Sequence, residues 1–177
     1  KEKLKEYSQT LIQQIDVMSS IASAFSDFAK MPTQKKEQIE IISVVKFALD
    51  VFTEEYIKYC PKETELYANL DKTQLIRILT NLVKNAIQAT DKEENPLIEV
   101  TVLSENNNLK ITVSDNGKGI SDDVKDLIFE PKFTTKTSGM GLGLAMIKNI
   151  IEAYDGAISF TSKEEVGTVF SVILPKT

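Results

Sequence analysis

Apolar residues recur at alternating spacings of three and four through residues 1–30, and this pattern predicts a long amphipathic helix. No Gly or Pro interrupts the pattern before Pro32. A stripe of this kind has to be covered, so the helix should pack on another helix, on the following domain or on a second copy of itself. The stripe consists of Leu4, Tyr7, Leu11, Ile15, Met18, Ala22, Phe25 and Ala29.

Helical and strand-like patterns alternate through the rest of the chain. Ser43 and Asp71 are candidate N-caps in front of apolar runs, and ENNN at 105–108 joins two β-branched runs, as in a hairpin. In chain order the predicted elements are a polar connector at 30–38, a helix over 44–59, a strand within 64–70, a helix over 72–90, strands over 97–104 and 109–115, a short helix over 122–129 begun by Ser121, a helix ending near Tyr154, and strands over 157–163 and 167–175. This order predicts a mixed, largely antiparallel sheet with helices on one face.

Composition limits the classes of function. The 177 residues, of which 42% are hydrophobic, suffice for one core and an appendage, and the net charge of −5 argues against nucleic acid as a partner. The single cysteine, Cys60, excludes an intramolecular disulfide framework. No apolar run is long enough to span a membrane and no leader opens the chain, so we expect a cytoplasmic protein, attached to a membrane only through segments outside this chain.

The stretch TTKTSGMGLGLAMIKNI at 134–150 places three glycines at the entry to a helical pattern. The first N–H groups of a helix have no internal partner and point toward the positive end of its dipole, which suits a phosphate group. Gly139, Gly141 and Gly143 are equally compatible with a mobile surface turn. This stretch alone does not decide between the two.

The predicted helix over 72–90 carries a polar stripe beside its apolar one. Asn81, Asn85 and Gln88 are spaced four and three apart and therefore share one face. A solvated face explains them, but Asn has low helix propensity and its amide oxygen is a suitable ligand for Mg²⁺.

Two further stretches admit a structural and a functional interpretation. In DNGKGI, Asp115 stands at a strand end and is followed by Gly117 and Gly119. The stretch is either an ordinary Asx-type turn, or its carboxylate accepts a hydrogen bond from an exocyclic amine such as that of adenine. In IFEPKFTTK, Phe129 and Phe133 either anchor a loop in the core or flank a lid that closes on polyphosphate.

Five stretches in order resemble the N, G1, F and G2 boxes and the terminal strands of the catalytic ATP-binding domain of bacterial sensor histidine kinases. They are NLVKNAIQA, DNGKGI, FEPKFTTK, GMGLGLAM and GTVFSVILP. The N-terminal QIDVMSSIASAFSDFAKMP resembles the second helix of the dimerisation and phosphoacceptor hairpin, most like the nitrogen-regulation branch. The resemblance implies a two-layer α/β sandwich of the Bergerat type, with a mixed, mostly antiparallel sheet and a long helix in front. Residues 1–31 would be the hairpin helix and 32–177 the catalytic domain.

The resemblance also implies roles for individual residues. Asn85 would hold Mg²⁺, Asp115 would accept from the adenine amine, and Lys136 would neutralise phosphate charge, with Thr134 and Thr135 as supporting donors. Ile120 would pack near the ring, and Thr168 would close the floor of the pocket. Gly117 and Gly119 would bend under the ring, and the N–H groups around Gly141, Leu142, Gly143 and Leu144 would meet the phosphates. The remaining candidate nucleotide contacts are Asn81, Gln88, Phe129, Gly139 and Met140.

One contrast with related ATPases and two departures from the kinase family, at Lys132 and in the missing histidine, bear on the expected reaction. Related ATPases and serine kinases carry a Glu general base one turn before the metal-binding Asn, but this chain has Asn81 there, which cannot take a proton at neutral pH. Lys132 stands where the family commonly has an aromatic residue. The chain contains no histidine at all, so the phosphoacceptor has to be external. We therefore expect ATP-dependent transfer to a histidine and relay to the receiver domain of a response regulator, within a homodimer formed by the N-terminal helix. The alternatives are a hydrolase or serine kinase of the same superfamily, and an ATP-gated interaction module.

Overall fold

The computed structural model describes residues 34–131 and 141–176, together with Ile12, Gln14, Ile15 and Met18. These four residues are helical and exposed. The predicted helix over residues 1–30 otherwise lies outside the described residues and stays a prediction.

The described chain contains seven strands, three α-helices and one 3₁₀ helix. In order they are β1 (Glu37–Glu40), α1 (Ile41–Leu49), β2 (Ile57–Pro61), β3 (Tyr67–Leu70), α2 (Lys72–Ala89), β4 (Ile98–Glu105), β5 (Asn108–Asp115), the 3₁₀ helix (Asp122–Leu127), α3 (Gly143–Glu152), β6 (Ala157–Lys163) and β7 (Gly167–Pro175).

Five strands form the main sheet in the order β2-β4-β5-β7-β6. β2 is parallel to β4, and the other neighbours are antiparallel. Alternate residues of the central strands, among them Val100, Ile111 and Val172, are fully buried and belong to the same core as residues of α2 and α3. β1 and β3 form a separate antiparallel pair. The predicted two-layer sandwich with a mixed, mostly antiparallel sheet is confirmed.

The helix α2 forms where the sequence predicts it. The carboxylate of Asp71 accepts hydrogen bonds from the backbone N–H groups of Thr73 and Gln74, at 2.9 and 3.2 Å, and so satisfies two donors of the first turn. The same carboxylate accepts from Lys35 N at 2.9 Å, and Asp71 N donates to the Tyr154 hydroxyl at 3.1 Å. Asp71 therefore joins the start of α2 to Lys35, before β1, and to Tyr154, after α3. The predicted apolar stripe of α2 is buried, namely Leu75, Leu79, Leu82 and Ala86.

The β-hairpins also form as predicted. β4 and β5 pair from Ile98↔Asp115 to Glu105↔Asn108, and the turn residues Asn106 and Asn107 have φ of 50° and 65°. Both values lie in the left-handed region that a two-residue hairpin turn needs, and Asn tolerates it.

The prediction of a helix over 44–59 is wrong at both ends. The helix α1 begins at Ile41 because the carboxylate of Glu40, and not the Ser43 hydroxyl, caps it by accepting from Ile42 N and Ser43 N at 3.0 and 2.7 Å. It ends at Leu49, and residues 57–61 form β2 because they pair in parallel with β4. That pairing is non-local and leaves no periodic signal in the sequence.

Two shorter predictions also need correction. The polar connector at 30–38 ends in β1, which pairs with β3. The short helix after Ser121 is a 3₁₀ helix over Asp122–Leu127, and the Ser121 side chain does not cap it. Among the helices of the described residues, none has the length and apolar character to cross a membrane.

Replacing Glu40 with Ala should lower the free energy of unfolding by about 1–2 kcal/mol, because α1 loses its cap. Burial raises the pKa of the Glu40 carboxyl, but hydrogen bonds from Ser43, Leu66 and Ile42 outweigh burial and hold the pKa below its ordinary value. The carboxylate therefore stabilises the fold above the unfolded-state pKa, and this contribution is lost as the pH falls through the folded-state pKa. Denaturant titrations at neutral and acidic pH measure the difference.

The matched control is Glu37→Ala, which removes an exposed carboxylate from the same strand. It should leave the free energy of unfolding within about 0.5 kcal/mol of wild type. Equal losses in the two variants would contradict the capping role of Glu40.

The turn between β6 and β7 offers a second test, with opposite signs at two positions. Gly167 has φ of 132°, and a Cβ atom there would lie 2.0 Å from the Asp115 carbonyl oxygen, so Gly167→Ala should cost roughly 3 kcal/mol. Glu165 has φ of 59° without being glycine, so Glu165→Gly should preserve stability or raise it by up to about 1 kcal/mol. Urea unfolding of both variants measures this, and a well-tolerated Gly167→Ala would show that the close approach is absent.

Candidate functional site

Asp115 ends β5 with its carboxylate among buried atoms. The residue is 8% exposed, and its Oδ1 accepts a hydrogen bond from Gly117 N at 3.0 Å. Burial raises the pKa of the carboxyl, and backbone hydrogen bonds from Gly117 and Thr168 only partly oppose this. An ionised carboxylate accepts and never donates, so a ligand at Asp115 has to present an N–H or O–H group.

The loop after Asp115 is pressed against the end of α2. A Cβ atom on Gly117 would lie 2.4 Å from the Ala89 carbonyl oxygen, and Lys118 N donates to that same oxygen at 3.1 Å. Gly117 is therefore required by the approach of the loop to the helix, because any side chain would push the two apart.

The other side of the loop contacts the β6–β7 hairpin. Gly119 has φ of 69°, and a Cβ atom there would lie 2.2 Å from the Lys163 carbonyl oxygen. Glu165 N donates to the Lys118 carbonyl oxygen at 2.8 Å. The loop is thus held between α2 and the hairpin, which fixes its backbone next to Asp115.

A row of polar side chains crosses the ends of three strands. Asp115 pairs with Thr168 across β5 and β7, and Thr168 pairs with Ser162 across β7 and β6. Thr168 is 4% exposed, and its hydroxyl lies 2.9 Å from that of Ser162. Ser162 Oγ also accepts from Ile120 N at 2.9 Å and donates to the Gly167 carbonyl oxygen at 3.0 Å.

Thr168 and Ile120 lie in motifs that the sequence singles out, but Ser162 does not. In β6 the partly buried positions are Ile158, Phe160 and Ser162, while the residues between them are exposed. A serine at a position where the alternation of the strand calls for an apolar residue is a signal that indicates Ser162 in the sequence.

The polar stripe of α2 faces the start of α3. Asn81 Nδ2 donates to the Arg77 carbonyl oxygen at 2.9 Å, and its Oδ1 lies 2.8 Å from where a Cβ atom on Gly143 would stand. Asn85 is half-buried, and Gln88 is exposed. The structure therefore brings the Asn81 side chain to the start of α3 and leaves Gln88 exposed.

The start of α3 differs from those of α1 and α2. Gly141 has φ of 63°, Leu142 is the N-cap, and no described side chain caps the helix. By contrast, Glu40 and Asp71 cap the other two helices. The first N–H groups of α3 are thereby available for an anionic ligand.

The two contacts on α2 lie at a fixed separation. Gly117 touches Ala89 and Gly143 touches Asn81, eight residues apart, so the contacts are about 12 Å apart along the helix axis. Asn85 lies halfway between them on the same face, since Asn81, Asn85 and Ala89 follow at spacings of four. One face of α2 therefore connects the buried acceptor of Asp115 to the uncapped start of α3.

Phe129 is partly buried and packs against the core. Its ring meets Phe160 edge to face at 5.9 Å between centroids, and Lys148 Nζ lies 5.7 Å from the Phe129 centroid.

Five predicted contacts lie outside the described residues and stay predictions: Thr134, Thr135, Lys136, Gly139 and Met140.

The Asn85 amide oxygen is a hard donor of the kind that Mg²⁺ binds. The described residues contain no cluster of three or more His, Cys, Asp or Glu side chains that could hold an ion. A divalent ion at this oxygen would take its other ligands from water and from phosphate oxygens, as Mg²⁺ commonly does.

A surface depression of about 620 Å³ reaches the row of polar side chains at the strand ends. Its lining includes Asp115, Ser162 and Thr168, together with the neighbouring strand residues Glu99, Ser114, Thr161 and Val169. This depression therefore adjoins the polar row.

Comparison with known proteins identifies the family. Residues 70–177 match the family described as histidine kinase-, DNA gyrase B- and HSP90-like ATPase. The sensor histidine kinase ZraS of Escherichia coli is 30% identical over 176 residues, which cover 96% of this chain and 37% of ZraS. The chain thus spans little more than a third of the length of this relative.

Solved structures agree with this match. The catalytic domain of histidine kinase ThkA superposes with a TM-score of 0.71 at 33% identity, covering 81% of this chain and 97% of that domain. Histidine kinase ThkA in complex with the response regulator protein TrrA gives a TM-score of 0.78 at 28% identity, covering 98% of this chain and 52% of that chain. The chain therefore belongs to the histidine kinase-, DNA gyrase B- and HSP90-like ATPase family, and it is homologous to sensor histidine kinases.

Proposed function

We propose that this chain is the ATP-binding catalytic part of a two-component sensor histidine kinase. It binds Mg-ATP and presents the γ-phosphoryl group to a histidine outside this chain. The observation that carries the proposal is the spacing on α2: a buried carboxylate at one end and an uncapped helix start about 12 Å away suit a base at one end and phosphates at the other.

The adenine base binds at the loop that follows Asp115, which we call the base end of the site. Its carboxylate accepts from the adenine amine, Ile120 packs near the ring, and Thr168 lies beside the carboxylate in the strand register. Gly117 and Gly119 keep the loop backbone close to α2 and to the hairpin, which leaves the ring a flat surface.

The phosphate end is the start of α3. The backbone N–H groups around Gly141, Leu142, Gly143 and Leu144 donate to phosphate oxygens, and Lys136 with Thr134 and Thr135 adds charge and donors from the neighbouring segment. Bound Mg²⁺ offsets the charge that develops on the phosphates. Asn85 holds that ion through its amide oxygen, and Asn81 supports the start of α3.

The nature of position 81 favours transfer over hydrolysis. Asn81 has no titratable group to activate water or a serine hydroxyl, and its amide donates to Arg77. The chain therefore contributes positioning and charge stabilisation, while the acceptor histidine comes from elsewhere, since this chain contains none.

The relay partners follow from the homology. ThkA forms a complex with a response regulator, and we infer the same class of partner, a receiver domain with an acceptor aspartate, for the intact protein here. We further infer a homodimer formed through the N-terminal helix and a cytoplasmic location, with any membrane attachment outside this chain.

Replacing Asp115 with Asn should lower affinity for Mg-ATP at least about tenfold, which is 1.4 kcal/mol. The single oxygen of the new amide serves Gly117 N, and its NH₂ group then opposes the adenine amine. Isothermal titration calorimetry measures the affinity. An exposed carboxylate provides the control, and Asp123→Asn should bind as wild type does.

The same variant should change how stability depends on pH. Because burial raises the folded-state pKa of Asp115, wild type is stabilised by protonation below the unfolded-state pKa and loses this as the pH rises through the folded-state value. The uncharged amide does not titrate, so in denaturant unfolding the stability of Asp115→Asn relative to wild type should rise with pH over this window. Unchanged nucleotide affinity in Asp115→Asn would refute the assignment of the base end.

Phosphoryl transfer can be tested with a separate acceptor. Mixed with labelled Mg-ATP and a histidine-bearing dimerisation hairpin from a related kinase, the chain should label the hairpin with an acid-labile, base-stable phosphoryl group and remain unlabelled itself. Asn85→Ala should slow this transfer at least about tenfold, whereas Asn69→Ala, on the exposed side of β3, should not. Release of phosphate without the hairpin would favour a hydrolase, and tight ATP binding without transfer would favour an interaction module.

A further inference from the structure

The hydroxyl of Ser162 lies among three polar atoms beneath the loop at Asp115. Ile120 N is 2.9 Å away, the Gly167 carbonyl oxygen 3.0 Å, and the Thr168 hydroxyl 2.9 Å. Ser162 is partly buried and shares the core-facing phase of β6 with Phe160.

The chemistry of these partners fixes the direction of each hydrogen bond. A hydroxyl has one proton to donate and two lone pairs to accept with. Ile120 N can only donate, so it occupies one lone pair of Ser162, and the Gly167 carbonyl can only accept, so it takes the Ser162 proton. The contact with Thr168 then has to be made by the Thr168 proton, which donates to the second lone pair of Ser162.

This arrangement leaves Thr168 with acceptor capacity alone. Its proton points toward Ser162, so only its lone pairs remain for another partner. Asp115 is the cross-strand neighbour of Thr168, and its ionised carboxylate is also acceptor-only. The paired ends of β5 and β7 therefore carry two adjacent groups that accept and do not donate.

We infer that Ser162 is a specificity-determining positioning residue, which holds Thr168 as an acceptor and so makes the pocket select 6-amino over 6-oxo purine nucleotides. This inference rests on the proposed nucleotide function. An adenine ring presents an amine at its 6 position, whereas inosine and guanosine rings present a carbonyl oxygen there. A carbonyl oxygen facing two acceptors has no donor and loses its hydration, which is costly.

Without the Ser162 hydroxyl, the Thr168 proton has no hydrogen-bond acceptor at that position. The Thr168 hydroxyl can then rotate and donate toward a 6-oxo group, directly or through a water molecule. Ser162 does not touch the base in this scheme, and its effect on the ligand passes through Thr168.

The test compares the affinities of Mg-ATP and Mg-ITP by calorimetry. The Kd for Mg-ITP divided by the Kd for Mg-ATP measures the selection of the 6-amino nucleotide. In Ser162→Ala this ratio should fall at least about tenfold relative to wild type. Ser162→Thr retains the hydroxyl and should restore the ratio, and Ser159→Ala, on the exposed side of β6, should leave it unchanged. Thr168→Val removes one of the two acceptors without removing Ser162, and it should also lower the ratio.

The outcomes separate this inference from the proposed function. If Ser162→Ala weakens both nucleotides equally, or if Thr168→Val leaves the ratio unchanged, Ser162 has a structural role only and the inference is overturned. The Thr168→Val measurement decides the matter if Ser162→Ala does not fold. If wild type binds neither nucleotide, the proposed function itself fails, and the inference fails with it.

Discussion

The site depends on how closely two backbone segments approach α2. A side chain on Gly117 would collide with the backbone of Ala89, and a Cβ atom on Gly143 would lie 2.8 Å from the side-chain oxygen of Asn81. Because the apolar stripe of α2 is buried in the core, these two contacts place the loop after β5 and the start of α3 relative to each other. The position of the site is thus set by core packing, while its chemistry comes from a few polar atoms at the edges of that packing.

Those polar atoms occupy positions that the fold would otherwise fill with apolar side chains. Along β5 the core-facing residues are Leu109, Ile111 and Val113, and the next residue in that phase is Asp115. Its burial raises the pKa of the carboxyl, so the ionised form opposes folding. The backbone hydrogen bond from Gly117 only partly offsets this effect. A buried carboxylate that costs stability is typical of a functional residue.

Much of the fold follows from local patterns, and the missed strands have one physical cause. α2 and the β4–β5 and β6–β7 hairpins have caps, periodicity and turn residues close together in sequence, and all of them form as predicted. β1 and β2 depend on partners far along the chain, and they were missed or assigned to a helix. At the site, Asp115 and Asn81 stand out because they lie in glycine-rich or amide-rich motifs. Ser162 does not, because its importance arises from three hydrogen-bond partners that only the folded sheet assembles.

The amide at position 81 fits its surroundings in a way that a carboxylate would not. Its NH₂ group donates to the Arg77 carbonyl oxygen, while its oxygen rests against Gly143. A carboxylate in this geometry would face that carbonyl oxygen with a second acceptor, and it would lose the hydrogen bond unless it were protonated. A group protonated in order to fit cannot also serve as a general base. The local hydrogen bonding of α2 is therefore consistent with a site that orients ATP for an external acceptor and does not activate water.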